Sequence, residues 1–344
     1  MLRALMTLVI MAAVLGGTGC FGSTHQVIPG VSEPAPISVG ADLPDAPGEI
    51  DRDFTWSYEG EEWEWSIPIP RSLHQYYSER PRIPTENYSI YASDPLDDAF
   101  MERLGNRFDA AAQQHGYDEF DTVNLAVAFV QDLPYASDVV TTTFDEYPRY
   151  PIETLVDGGG DCEDTSILLA AILHAMGYDV VLLRPANHMA VGVLGGKGIH
   201  GTYFEHDGGK YFYLETTGRG WEIGQMPEEY EGQPVSIFTL DPTPILSHRW
   251  SAKTYETDAV VEVTVSNLGT APARGVYVYA GFDAGGERLW NAERSQRFDL
   301  EPGYYVDVTL SLDLPEGKET TRLVVQTVYM GYAYDESRSE WFDL

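Results

Sequence analysis

Three glycines, Gly158, Gly159 and Gly160, lead through Asp161-Cys162-Glu163-Asp164 into an apolar stretch from Ile167 to Met176 that stops at Gly177. A helix that is apolar nearly all round has no face to give to water, so it must be buried and its domain must pack around it. Cys162 falls in the first turn, where the helix emerges at a surface. The unpaired N–H groups and positive dipole end found there stabilise a thiolate and can hold a developing oxyanion.

Cysteine usage sharpens this position, because Cys20 and Cys162 are the only two in the chain. A solitary thiol on the oxidising side of a membrane is either buried and inert or chemically employed. Downstream, Asp179 to Leu183 reads as a strand, Pro185-Ala186-Asn187 as a turn, and His188 as the opening of a second strand. Ala190 and Gly192 share the face of His188, and their small size leaves room beside the imidazole for a substrate or a facing helix. A third strand, Tyr211 to Thr216, carries Glu215. Antiparallel pairing with the His188 strand makes Glu215 a cross-strand neighbour able to orient the ring. A hairpin of Thr202–His206 with that third strand, turning at Asp207-Gly208-Gly209, is the competing arrangement, and Asp207 is then the alternative carboxylate.

The runs "GGGDCEDTSILLAAILHAMGYDVVLL", "HMAVGV" and "YFYLETT" together resemble the core of the transglutaminase-like superfamily. That resemblance covers roughly residues 121–221 and implies a papain-like α+β fold. By it, Cys162 is the nucleophile, His188 the base, and Glu215 the third member, where relatives usually carry Asp. Gln131 and Tyr135 are candidates for a second oxyanion donor besides the backbone N–H of Cys162. The run Asp161-Cys162-Glu163-Asp164 also resembles the branch of periplasmic cysteine proteases whose carboxylates bind calcium. Carboxylates around a thiol oppose its ionisation, so something must offset them. The His188 imidazolium, capping by Asp161, and a Ca²⁺ held by Asp161, Glu163 and Asp164 are the three options. No cofactor is required by the reaction itself.

Around this core the chain divides by composition. Residues 1–20 read as an export signal: Arg3, an apolar run, then small residues before Cys20, which resemble a lipobox and imply lipidation there. An uncleaved membrane anchor is the alternative, and either route tethers the chain outside the cytoplasmic membrane. Residues 21–51, rich in Pro, Gly, Ser and Asp, read as a flexible linker. The core domain is expected over 52–248 and opens with a hairpin of alternating aromatics, Trp56, Tyr58, Trp63 and Trp65, read as core rather than as a sugar platform. Short alternating strands over 255–344 predict an all-β immunoglobulin-like sandwich, and "VSNLGTAPARGV" resembles cell-adhesion-related surface modules.

The formal charge of −33, from 54 acidic and 21 basic residues, is spread along the chain and argues against a nucleic-acid partner. A diffuse acidic surface with only four lysines reads as adaptation to concentrated salt, where screening reaches down to about 3 Å at 1 M. The expected partner is a peptide or protein substrate outside the membrane. Hydrolysis of an amide through a thioester is the first reading, and transamidation uses the same parts. A non-catalytic binding module on the same fold is the alternative from another class.

Overall fold

The computed structural model describes residues 26–27 and 43–344, apart from 81, 84, 137–146 and 287. The lipobox and Cys20 lie outside the described residues. Two compact units result, Asp42–Pro242 and Thr243–Leu344, the latter together with the short strand β1 (Gln26–Val27). No helix among the described residues is long and apolar enough to cross a membrane.

The first unit is α+β. It opens with a hairpin of β2 (Glu49–Tyr58) and β3 (Glu61–Pro70), whose first strand begins at Glu49, inside the segment 21–51 read as linker from composition. Tyr58-Glu59-Gly60-Glu61 turns the hairpin, with Glu59 and Gly60 both at positive φ. Trp56 and Trp65 are buried and pack edge-on to one another and around Phe108 and Phe129, so this aromatic face is core. Helices α1 (Arg71–Glu79), α2 (Ser89–Ala92), α3 (Asp98–His115), α4 (Glu119–Gln131), α5 (Pro151–Asp157) and α6 (Cys162–Ala175) follow.

Helix α6 is the apolar one, and every residue from Asp164 to Leu173 is buried. It packs against α2, α3, α4 and α5 and, on its other side, against strands β4 (Val180–Arg184) and β5 (Ala190–Leu194). With β6 (Tyr203–His206), β7 (Gly209–Leu214) and β8 (Ser236–Thr239) these form an antiparallel sheet in the order β6-β7-β5-β4-β8. The third strand thus has two neighbours: β7 makes the hairpin with β6 and also pairs with β5, Val191 opposite Leu214. The two pairings weighed as alternatives in the sequence coexist, because a strand has two edges.

The second unit is all-β. Strands β9 (Leu246–Thr254), β10 (Asp258–Asn267), β11 (Ala273–Asp283), β12 (Leu289–Arg294), β13 (Phe298–Leu300), β14 (Tyr305–Asp313), β15 (Thr320–Thr321), β16 (Leu323–Tyr329), β17 (Tyr332–Arg338) and β18 (Phe342–Asp343) make it up. One sheet runs β1-β9-β10-β14 and the other β12-β11-β16-β17. Val261, Val263 and Val265 of β10 share a single core with Val276 and Val278 of β11 and Val325 of β16, so the two sheets close over one apolar layer. Strand β9 straddles the end of the 52–248 segment read from the sequence and belongs here. Its Ser-His-Arg stretch interrupts the alternation that marks its neighbours.

Candidate active site

Helix α5 ends at Gly158, which takes the left-handed conformation (φ 71°) that a residue with a Cβ adopts only at a cost. At Gly160 a Cβ would lie 2.4 Å from that of Asp164, so only glycine fits between the loop and α6. The same loop pairs with Pro134–Ala136: Ala136 N–H donates to Gly160 O at 2.9 Å and Gly160 N–H to Pro134 O at 3.3 Å. Cys162 is therefore delivered as the first residue of α6, part-buried.

Three hydroxyl contacts bind the first turn of α6 to the sheet. Ser166 Oγ donates to Met189 O at 3.0 Å, and Thr216 Oγ1 lies 2.9 Å from Thr165 Oγ1 and 3.1 Å from Ser166 Oγ. Met189 and Thr216 are the immediate neighbours of His188 and Glu215. The seam thus carries the beginning of the cysteine helix to the ends of the two strands that bear the histidine and the acid.

His188 sits two residues ahead of β5, in the turn after Pro185, rather than inside the strand. Its Nε2 is 3.0 Å from Glu215 Oε2. Both side chains are buried, at 5% and 1% exposure. Glu215 accepts further bonds from Tyr213 Oη (2.8 Å), Thr217 Oγ1 (2.6 Å) and the N–H groups of Thr216 (3.0 Å) and Thr217 (2.8 Å). Burial pushes this carboxyl up, but the bonds from His188 and Thr217 outweigh it and hold Glu215 below its ordinary range. Asp207, the alternative acid, lies in the exposed β6–β7 turn, and His206 is its ion-pair neighbour at 3.7 Å. The small residues Ala190 and Gly192 leave no opening beside them: a Cβ at Gly192 would come within 3.1 Å of Tyr211 Cβ, and Ala190 is buried against Tyr211 and Tyr213.

The thiol of Cys162 is turned to its neighbour Glu163, whose Oε2 accepts from Sγ at 3.1 Å. The Met189 N–H also points to the sulfur and favours its anion. Sγ and the His188 ring make no direct hydrogen bond. Burial, Glu163 and Asp161 together push the thiol well above its ordinary value. Glu163 is itself pushed up to about 7 by burial and by Asp161.

The carboxylates of the Cys162 loop do not form one ligand set. Asp164 is fully buried and accepts from the Arg149 backbone N–H at 2.7 Å and from Arg149 Nη1. Its charge is answered by a guanidinium, a residue type the sequence reading did not weigh there. Asp161 Oδ1 is buried with no hydrogen-bond partner, and with Glu163 it offers hard oxygens of the kind calcium takes. Two carboxylates fall short of a cage, and no group of three or more His, Cys, Asp or Glu among the described residues could hold a metal ion. Asp164 is engaged by Arg149 and does not join Asp161 and Glu163 in one set of ligands.

Gln131 does not serve as an oxyanion donor. Its Nε2 donates to both Glu215 O and Trp221 O at 2.9 Å, and its Oε1 accepts from Gly220 N–H at 3.0 Å, so the amide is fully used in bracing the chain after β7. Tyr135 lies beside the Cys162 loop through its bridge to Gly160, with an exposed side chain. Two residues to which the sequence reading gave no role also touch the site. Tyr213 holds the acid, and Tyr230 lies flat on the His188 ring.

No family model matches the chain, and no curated protein matches it. Among solved structures it is similar to Legionella pneumophila LapG in its EGTA-treated form, at 19% identity and a TM-score of 0.30, over 46% of this chain and 83% of that one. The calcium-bound LapG gives 16% identity and a TM-score of 0.29, over 41% and 87%. Red sea bream transglutaminase gives 10% identity and a TM-score of 0.26, over 86% and 62%.

Proposed function

We propose that the first unit is a thiol amide hydrolase, a cysteine peptidase of transglutaminase-like type with a papain-like core, in which Cys162, His188 and Glu215 act as nucleophile, base and orienting acid. The observation that carries this reading is the buried His188–Glu215 bond, held by the Ser166–Met189 and Thr165–Thr216 contacts at the start of the cysteine helix. Because Nε2 is committed to Glu215, Nδ1 is the nitrogen that takes the thiol proton once Sγ turns from Glu163. The thiolate then adds to an amide carbonyl, and the oxyanion that forms is met by the N–H groups of the first turn of α6. His188 returns its proton to the amine as the C–N bond breaks, leaving a thioester. Water, deprotonated by the same ring, cleaves the thioester to a carboxylic acid and restores the thiol. An amine in place of water gives transamidation.

The chain is read as exported and held to the outer face of the cytoplasmic membrane through Cys20, acting on peptide or protein outside it, with an immunoglobulin-like sandwich as its second unit. Its acidic surface is read as a halophile's, with loss of fold on dilution of KCl as the expected outcome. One observation favours a non-catalytic binding module instead: the thiol donates to Glu163 and makes no hydrogen bond to the imidazole. Iodoacetamide separates the two. A catalytic Cys162 alkylates faster than free cysteine, with a rate that climbs through a pH below the ordinary thiol range, and peptide cleavage is lost in Cys162→Ala. Labelling slower than free cysteine at every pH favours the binding module.

A further inference from the structure

A hydrogen bond at one nitrogen leaves an imidazole free to swing about that bond, so fixing His188 needs a second restraint. Tyr230, the last residue of a 3₁₀ turn (Glu228–Tyr230), supplies a flat surface against the ring: the centroids are 4.4 Å apart and the planes 4° from parallel. The turn is itself anchored. Tyr230 N–H donates to Pro227 O at 3.0 Å and Gln233 N–H to Tyr230 O at 3.3 Å. Gln233 Nε2 donates to Glu229 O at 2.7 Å, and its Oε1 accepts from Ala186 N–H at 3.2 Å. Ala186 lies in the turn that delivers His188, so one glutamine ties the tyrosine's segment to the histidine's. Gln131 braces the start of the same segment at Gly220 and Trp221.

We propose that Tyr230 is a positioning residue for His188: its ring face holds the imidazole in the plane where Nε2 meets Glu215, leaves Nδ1 to the sulfur, and keeps water from the His188–Glu215 bond. The electron-rich face of a phenol also attracts the imidazolium that forms when the thiol proton is taken. The catalytic part of this inference rests on the thiol-nucleophile reading above.

The test uses the full chain, with Tyr230→Phe, Tyr230→Leu and Tyr230→Ala. Two quantities are read: the pH–rate curve of Cys162 alkylation by iodoacetamide, and exchange with water of the His188 Nε2–H proton by NMR. Phe keeps the face and is expected within about twofold of the parent in rate. Leu keeps apolar bulk without the face, and both Leu and Ala are expected to slow alkylation about tenfold or more, to displace the pH–rate curve and to speed proton exchange, because small misplacements of a reacting group are costly. Leu covers the case in which Ala fails to fold. Parent-like rate and exchange in Leu, or a Phe variant as slow as Ala, overturn the proposal. A parent whose Cys162 labels no faster than free cysteine sinks the thiol-nucleophile reading instead, and proton exchange still decides whether Tyr230 positions the ring.

Discussion

The two units each hold a histidine bonded to a carboxylate, and they use it in opposite ways. In the α+β unit, His188 gives Nε2 to Glu215 at 3.0 Å, and no other ring hydrogen bond is made among the described residues. In the β unit, His248 of β9 sets Nδ1 3.1 Å from Asp335 and 3.0 Å from Thr327 Oγ1, and Nε2 2.6 Å from Ser337 Oγ. Ser337, His248 and Asp335 thus have the connectivity of a serine triad. Yet the His248 side chain has no exposed surface, and Ser337 Oγ is also the acceptor of the Trp250 indole N–H at 2.6 Å. Every polar atom of that ring is used to bolt β9 of one sheet to β16 and β17 of the other. A carboxylate-imidazole bond therefore says little by itself; what separates the two is the second ring nitrogen, which is bonded in His248 and makes no hydrogen bond among the described residues in His188.

The comparison breaks most readily at the first histidine. His188→Ala is expected to slow alkylation of Cys162 by roughly 10²–10⁴-fold, whereas His248→Ala leaves it unchanged. Equal effects from the two, measured as second-order rates, would erase the distinction. Glu163→Gln sharpens it from the other side. Removing a carboxylate 3.1 Å from the sulfur eases ionisation of the thiol, by about tenfold in rate for each unit that its pKa falls. Burial and Asp161 push Glu163 up to about 7, so the acceleration should appear above that pH and fade below it. A variant that is slower than the parent above pH 7 would make Glu163 a partner of the thiol rather than a restraint.

In the β unit the readout is stability. His248→Ala strands Asp335, Thr327 and Ser337, at an expected cost of about 1–3 kcal/mol for the partners left unmade. Burial depresses the His248 pKa below its ordinary value and outweighs the pull of Asp335. The unfolded chain then takes up the proton first, so stability of the sandwich is fully present above about pH 6.5 and falls as pH drops toward the folded value. Calorimetry of the parent against His248→Gln should show this slope flattened in the variant. The smallest effect concerns metal. Replacing Ca²⁺ by EGTA is expected to change alkylation of Cys162 by less than about twofold, since Arg149 already answers Asp164. A saturable calcium dependence would place an ion at Asp161 Oδ1 and Glu163.

What could be read along the chain was what the backbone decides locally. The glycine-flanked apolar run predicts α6 and puts Cys162 in its first turn, and period-two valines predict β10 and β14, because burial patterns and helix termini are set by neighbours a few residues away. Contacts between distant segments were not so determined. The sequence could name Glu215 and Asp207 as rival acids, but only the double pairing of β7 brings Glu215 to His188. Gln131 looked like a donor at a helix end, yet both ends of its amide are taken by a loop some ninety residues away. Arg149 under Asp164, Tyr230 on His188 and Ser337 on His248 carry no motif at all.

The sequence alone determined that one sulfur stands at the head of a buried helix, since a lone cysteine and an apolar period are properties of the string itself. The tertiary structure decided what that sulfur meets, a carboxylate at its side and an amide N–H from Met189, and that the imidazole of His188 is held between an acid and a phenol ring. The reason is physical. Helix and strand periods are short-range, whereas which acid, amide or aromatic ring fills a given gap depends on chain segments that touch only after the sheet has closed.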